Sequence, residues 1–220
     1  IDAIPNGGSL WIPASMVIRI NSTITIKDRA GIKIIGAGSS LYGVGVAALN
    51  TAPMIMWGGA TTGSTSVVFY VNRTNAMIMS GFRIAGNGAV AHTLGTQTGN
   101  NYMVGIDVDG VSTASTQNIF EYLSFDKFVS DGNTTTAIRF QESGGGNCSE
   151  NIIERCYFAN GGVGIRMNQA NAKNQRLRNC TFSQLTTAIQ INTGGSFQAY
   201  QCNSARCTNI ITGIWTEPLI

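Results

Sequence analysis

Apolar and polar residues alternate along nearly the whole chain, in short runs bounded by Gly, Asn, Ser or Thr. The clearest runs are residues 22–28, 32–38, 67–71 and 188–192. A period of two is typical of strands, because successive side chains of a strand point to opposite faces. No window shows apolar residues at helical spacing over a helical length, so the pattern predicts a nearly all-β chain.

A five-residue pattern recurs in the C-terminal half: a small residue, Ile, any residue, an apolar residue and a polar residue. Its copies contain Ile106, Ile138, Ile165, Ile189 and Ile214, about 24 to 32 residues apart. A second pattern keeps the same register between the copies, at residues 123–125, 156–158, 180–182 and 202–204. Two tracks with one period predict a parallel β-helix, whose coils stack about 4.8 Å apart so that equivalent residues form ladders.

The alternation also predicts which ladders lie inside the coils. The five Ile residues should form an interior aliphatic column, and Phe125, Phe158 and Phe182 an interior aromatic one. Cys156, Cys180 and Cys202 fit a third interior column, in which Cys acts as a small buried apolar residue. A leucine-rich repeat would need many more Leu residues, and a β-sandwich would lack the shared register. Residues 41–66, 86–102 and 143–151 are predicted to be loops that project from the coils.

The composition fits this fold and excludes several functional classes. Charged residues make up 11% of the chain, less than half of the roughly 25% that is usual for soluble domains. The apolar runs are too short for a membrane-spanning helix, so no membrane insertion is expected. A formal net charge of +3 is too small to predict nucleic acid as a partner. One His and five Cys without a CxxC pair predict no metal site, and no cofactor is expected.

The N-terminal residues carry a family resemblance. The segment PNGGSLWIPAS at residues 5–15, followed by STITIKDRAGIKIIGAGSS at residues 22–40, resembles the opening coils of the pectate-lyase-like right-handed β-helix proteins. That group includes secreted polysaccharide lyases and hydrolases and the tailspikes of bacteriophages. The resemblance implies a pectin-lyase-like right-handed solenoid that meets a polysaccharide, often as a homotrimer in phages. It supplies no catalytic motif, because the chain matches neither the aspartate cluster of pectate lyases nor the polygalacturonase motifs.

The outward residues of the repeats predict a candidate site, which we call the polar ladder. Substrate-binding residues are predicted at Arg139, Gln141, Arg166, Asn168, Gln190, Asn192 and Trp215. Amide, carboxylate and guanidinium groups hydrogen-bond sugars, and an aromatic ring stacks on them. A solvated strand face would also be polar, so the composition fits both interpretations.

Asp107 and Asp109 are the predicted catalytic residues. They lie two apart on one strand, roughly 6.5 Å between Cα atoms, a spacing that suits the paired carboxylates of glycoside hydrolysis. Asp107 could instead pair with Arg139 of the next repeat, and Asp109-Gly110 is typical of a turn. Elimination by a lyase would use Arg139 and Arg166 to bind a uronate, and hydrolysis is favoured over it. Glu121, Glu154 and Arg178 occupy equivalent positions and are interpreted as an exposed ladder of alternating charge.

We therefore expect one β-helix domain over residues 1–220, a segment of a longer chain, with residues 1–8 leading into the first coil. The favoured function is a tailspike- or tail-fibre-type protein of the virion tail that binds bacterial surface polysaccharide. Its expected partners are that polysaccharide, two further copies of itself in a homotrimer, and other virion tail proteins. Depolymerase activity is left open, as are two alternatives: a secreted polysaccharide lyase or hydrolase, and a structural shaft without catalysis.

Overall fold

Strands account for all the regular secondary structure that the computed structural model describes. It covers residues 4–38, 52–58, 66–86, 103–126, 135–141 and 145–213. Within these ranges there are nineteen strands and no helix. The strands are β1 Ser9–Ile12, β2 Val17–Ile20, β3 Ile24–Ala30, β4 Lys33–Gly36, β5 Met54–Trp57, β6 Val67–Asn75, β7 Ile78–Ser80, β8 Arg83–Ala85, β9 Val104–Asp109, β10 Ile119–Glu121, β11 Ser124–Asp126, β12 Thr136–Gln141, β13 Ile152–Glu154, β14 Tyr157–Met167, β15 Gln175–Arg178, β16 Thr181–Ile191, β17 Phe197–Tyr200, β18 Asn203–Ala205 and β19 Asn209–Gly213. No helix that is long and apolar enough to cross a membrane occurs in the described ranges.

The strands form two sheets, and each strand pairs in parallel with strands from earlier or later in the chain. The first sheet has the order β1-β4-β7-β10-β13-β15-β17. The second has the order β2-β5-β8-β11-β14-β12-β9-β6-β3, and β16 joins it by pairing with β14, β18 and β19. One or two strands of the second sheet always separate successive strands of the first. The chain thus runs back and forth between the sheets in an all-parallel, solenoid-like arrangement, which confirms the all-β prediction.

A left-handed residue ends each of five successive strands of the first sheet. Gly81, Tyr122, Arg155, Asn179 and Gln201 follow β7, β10, β13, β15 and β17, with φ between 50° and 75°. The backbone N–H groups of the first four bond to the next turn, for example from Arg155 to the carbonyl of Arg178 at 2.9 Å. A positive φ is costly for residues other than Gly. The repetition of this bend keeps successive turns of the chain in register.

The interior columns lie where the sequence predicts them. Ile106, Ile138, Ile165 and Ile189 pair in register and are at most 5% exposed. The rings of Phe125 and Phe158 stack at 5.1 Å between centroids, and those of Phe158 and Phe182 at 4.8 Å. These contacts confirm the repeat register for the central coils.

The small residue that opens the five-residue pattern also has a structural cause. A Cβ added at Gly164 would lie 2.7 Å from the carbonyl oxygen of Ala188 and 2.8 Å from the ring of Phe182. Both distances are shorter than van der Waals contact allows. Ala137 and Ala188, at the same place in neighbouring repeats, are at most 4% exposed.

Buried side-chain amides form a ladder at the successive turns that lead into strands of the first sheet. This ladder is not among the sequence predictions. The side chain of Asn118 donates to Oδ1 of Asn151 at 3.0 Å and accepts from the backbone of Met77 at 3.1 Å. Gln175 takes the next place and donates to the carbonyl of Cys148 at 2.5 Å. All three amides are fully buried. They satisfy backbone groups that turns otherwise leave unpaired.

Two sequence predictions are wrong at the level of single strands. In the last repeat, Ile189 pairs with Ile211 and not with Ile214, which lies outside the described residues. The predicted loop at residues 41–66 contains β5, which pairs with β2 and β8. Residues 87–102 of the second predicted loop are outside the described ranges, and residues 145–150 of the third contain no strand.

Candidate functional site

The polar ladder crosses the second sheet, with side chains set by the strand register. Its first row crosses six strands, and each residue pairs in register with the next. The row reads Tyr70, Asp107, Arg139, Arg166, Gln190 and Thr212. Its second row pairs Asn72 with Asp109 and Asp109 with Gln141, and continues through Asn168 and Asn192. Both predicted rows are therefore present, the first from Asp107 to Gln190 and the second from Asp109 to Asn192. Thr212 takes the place in the register that was predicted for Trp215, which lies outside the described residues.

Asp107 is buried and paired with its neighbour in the next repeat. It is 2% exposed and receives two hydrogen bonds from Arg139, from Nε at 2.9 Å and from Nη2 at 2.6 Å. Gln141 adds a third from Nε2 at 2.6 Å. Burial raises the pKa of Asp107 above its usual value, although the bonds from Arg139 act in the opposite direction. The structure thus confirms the alternative prediction that Asp107 pairs with Arg139, whereas a solvent-facing Asp107 is not observed.

Asp109 is buried as well, in a different environment. It is 1% exposed, and the hydroxyl of Tyr70 donates to its Oδ2 at 2.8 Å. Asn72 in turn donates to the Tyr70 oxygen at 3.1 Å. Burial, together with the bond to Asp109, raises the pKa of Tyr70 to about 12. The two carboxylates therefore have different partners, a guanidinium for Asp107 and a phenol for Asp109.

Sequence analysis missed Tyr70 and Asn72 as members of the polar ladder, although a signal for them is present. Residues 68–72 read Val-Phe-Tyr-Val-Asn, which matches the five-residue pattern if Val replaces the small residue and Phe replaces Ile. Phe69 pairs with Ile106, as the relaxed pattern requires. The long interval before the next repeat, which includes residues 87–102, hides the relation.

The other end of the polar ladder is open to solvent. Arg166, Asn168 and Gln190 are half-buried, and Asn192 is exposed. Arg166 donates from Nε to Oε1 of Gln190 at 2.8 Å. Asn192 donates to Oδ1 of Asn168 at 2.8 Å. Burial, with the nearby charge of Arg139, lowers the pKa of Arg166 to about 10. These contacts hold planar amide and guanidinium groups in fixed orientations at the surface.

The Cys residues follow the interior column that the repeat predicts. Cys156 and Cys180 are at most 1% exposed, and Cys202 of the last repeat is half-buried. The hydrogen bond to Cys156, with burial, raises the pKa of the Cys180 thiol well above its usual value. Such thiols are poor nucleophiles. In the part of the chain that the structure describes, no group of three or more His, Cys, Asp or Glu side chains is arranged to hold a metal ion.

Comparisons with known proteins give a limited result. No family model matches the chain, and no curated protein matches it in sequence. Among solved structures, a putative glycosyl hydrolase from Parabacteroides merdae aligns over 92% of this chain and 83% of its own, with 11% identity and a TM-score of 0.35. At that score the likeness carries no information on chemistry, so the site has to be interpreted from its own residues.

Proposed function

We propose that the chain is a right-handed parallel β-helix of the pectate-lyase-like kind that binds bacterial surface polysaccharide through the polar ladder. The observation that carries the proposal is the open end of the ladder, where Arg166, Asn168, Gln190 and Asn192 are held in place by bonds between repeats. Preorganised amide and guanidinium groups pay little entropy when they bind hydroxyl groups. The buried pairs at Asp107 and Asp109 would hold the adjoining part of the same ladder in place.

The resemblance of residues 5–15 and 22–40 supports a tailspike- or tail-fibre-type protein of the virion tail, acting as a homotrimer with other tail proteins. In that setting the polar ladder would face the host surface, alone or in a groove between subunits. Sedimentation of the purified chain gives a direct check on the assembly. A trimer is expected, and a monomer at all concentrations would contradict this part of the proposal.

Binding is tested on an array of purified bacterial surface polysaccharides. The wild type should bind at least one glycan, and Asn192→Ala should weaken that signal. Asn203→Ala is the matched control, because Asn203 is an exposed residue of β18 in the same sheet but outside the polar ladder. Absence of binding by the wild type, or equal losses in both variants, would contradict the proposal.

Glycoside hydrolysis is a second candidate function, favoured by the unequal partners of Asp107 and Asp109. A general acid must keep its proton near neutral pH, and burial shifts the pKa of Asp107 in that direction. Release of reducing ends from the bound glycan would test it. Activity should disappear in Asp107→Asn and Asp109→Asn while binding persists. Unchanged activity in either folded variant would show that the substituted residue is not catalytic.

A further inference from the structure

A shallow depression of about 410 Å³ lies on the first sheet, away from the polar ladder. Its lining combines two Arg, one Glu, two amides and one aromatic ring. These residues are Glu154, Arg176, Arg178, Asn179, Gln198 and Tyr200, and the buried Leu177 completes the lining. The depression spans β13, β15 and β17, which are neighbours in the first sheet. It therefore belongs to a different surface from the one proposed to bind polysaccharide.

The two Arg side chains are placed there by the alternation of β15. Gln175 and Leu177 are fully buried, so Arg176 and Arg178 both point outwards. Residues two apart on a strand lie on one face, roughly 6.5 Å apart at Cα. Among the described residues, neither guanidinium has an ion pair or a hydrogen bond. Glu154, the carboxylate in the lining, lies 3.7 Å from Arg155 instead. Glu154 also pairs in register with Arg178, so the depression presents two guanidinium groups and one carboxylate.

An aromatic ring lies beside these cations. Tyr200 pairs in register with Arg178, and Gln198 pairs with Arg176. Tyr200 is 65% exposed, the largest exposure among the large apolar and aromatic side chains that the structure describes. An exposed ring next to hydrogen-bonding groups is suited to stacking on the apolar face of a sugar.

We propose that this depression binds an acidic saccharide residue. The acid group would accept hydrogen bonds from Arg176 and Arg178, which match carboxylate and sulfate groups in geometry. The sugar ring would stack on Tyr200, and Gln198 and Asn179 would bond to its hydroxyl groups. This site goes beyond the proposed function, since it lies on the other sheet and needs a different ligand charge.

Affinity electrophoresis of the whole chain tests the proposal, in gels that contain alginate, dextran sulfate or neutral dextran. Alginate carries carboxylates, and the two dextrans differ only in sulfate, so the three gels separate the acid group from the sugar backbone. The wild type should be retarded by at least one acidic glycan and not by dextran. Arg176→Gln and Arg178→Gln should each weaken that binding by about fivefold to tenfold. Tyr200→Ser should weaken it too, because the loss of stacking is independent of charge.

Lys33→Gln provides the matched control. Lys33 is exposed and lies in the same row of the first sheet as Arg176, but at the other end. The proposal expects no change for this variant. It would be overturned if Lys33→Gln weakened binding as much as Arg176→Gln, if Tyr200→Ser had no effect, or if no acidic glycan bound. Retardation that persists in Arg176→Gln but is lost in Asn192→Ala would place acidic-glycan binding on the polar ladder and overturn this proposal, so failure here is distinguishable from failure of the proposed function.

Discussion

The interior Ile column and the polar ladder lie on the same strands, one residue apart, yet they are built in opposite ways. The column repeats a single residue type at Ile106, Ile138, Ile165 and Ile189. The first row of the polar ladder varies instead, and reads Tyr70, Asp107, Arg139, Arg166 and Gln190. Repetition suits packing, since each coil offers the same surface to the next. Packing does not require such variation, and the variation agrees with the proposed binding role of this row.

The polar ladder itself divides into two parts. At Asp107 and Asp109 the side chains are buried and bonded between strands. At Gln190 and Asn192 they reach solvent. The first part contributes to stability as well as to any chemistry, whereas the second part can be altered at little structural cost. Substitutions can therefore separate the two contributions.

The largest effect is expected in the interior column. Ile165→Asp buries a carboxylate without a partner and should lower the free energy of unfolding by more than about 4 kcal/mol. Ile211→Asp is the matched control, because Ile211 belongs to the same column but is 40% exposed. It should cost much less. Circular dichroism during denaturant unfolding provides the measurement, and equal losses in the two variants would show that the assigned register is wrong.

A smaller loss is expected at the buried end of the polar ladder. Asp107→Asn puts an amide donor where both carboxylate oxygens accept from Arg139 and Gln141, and it should cost about 3–5 kcal/mol, as for other broken buried pairs. The double variant Asp107→Asn/Arg139→Gln removes both charges and should recover part of this loss. Urea unfolding of the wild type, the single variant and the double variant measures both the loss and the recovery of stability. A single variant as stable as the wild type would show that the pair contributes nothing to the fold.

The smallest stability effect concerns pH. Because burial raises the pKa of Asp107, the folded chain holds this proton more tightly than the unfolded chain does. Its contribution to stability is then greatest below the unfolded value of 3.8 and declines as the pH rises through the folded value. The wild type should gain stability relative to Asp107→Asn as the pH falls from neutral. A difference between the two proteins that shrinks on acidification would contradict this sign.

The sequence predicted the parts of the fold that depend on repetition. The Ile and Phe columns follow from period two and a common register, and both are present. The last repeat was assigned to Ile214 because its local pattern matches, but pairing selects Ile211, three residues earlier. A short pattern cannot reveal such a shift, since the hydrogen bonds to the preceding coil fix it.

The candidate site was only partly predictable. The order of Asp107, Arg139, Arg166 and Gln190 followed from register, whereas burial of the two Asp residues did not. Burial depends on three-dimensional neighbours, such as Tyr70 above Asp109, that lie far away in sequence. The amide ladder of Asn118 and Asn151 was missed for the same reason. An Asn before a strand is also common in turns, so its burial leaves no distinctive pattern.

The interior columns hold the fold together, and the polar ladder is proposed to bind glycan. Measuring both the glycan affinity and the stability of one variant, Gln190→Ala, tests this central claim most directly. Calorimetric titration with the glycan found on the array should show binding weakened about tenfold or more, and urea unfolding should show a change within about 1 kcal/mol. Ile191→Ala, at the adjacent buried position, should show the converse, a clear loss of stability with binding retained by the folded fraction. Wild-type affinity in Gln190→Ala would contradict the assignment of glycan binding to the polar ladder.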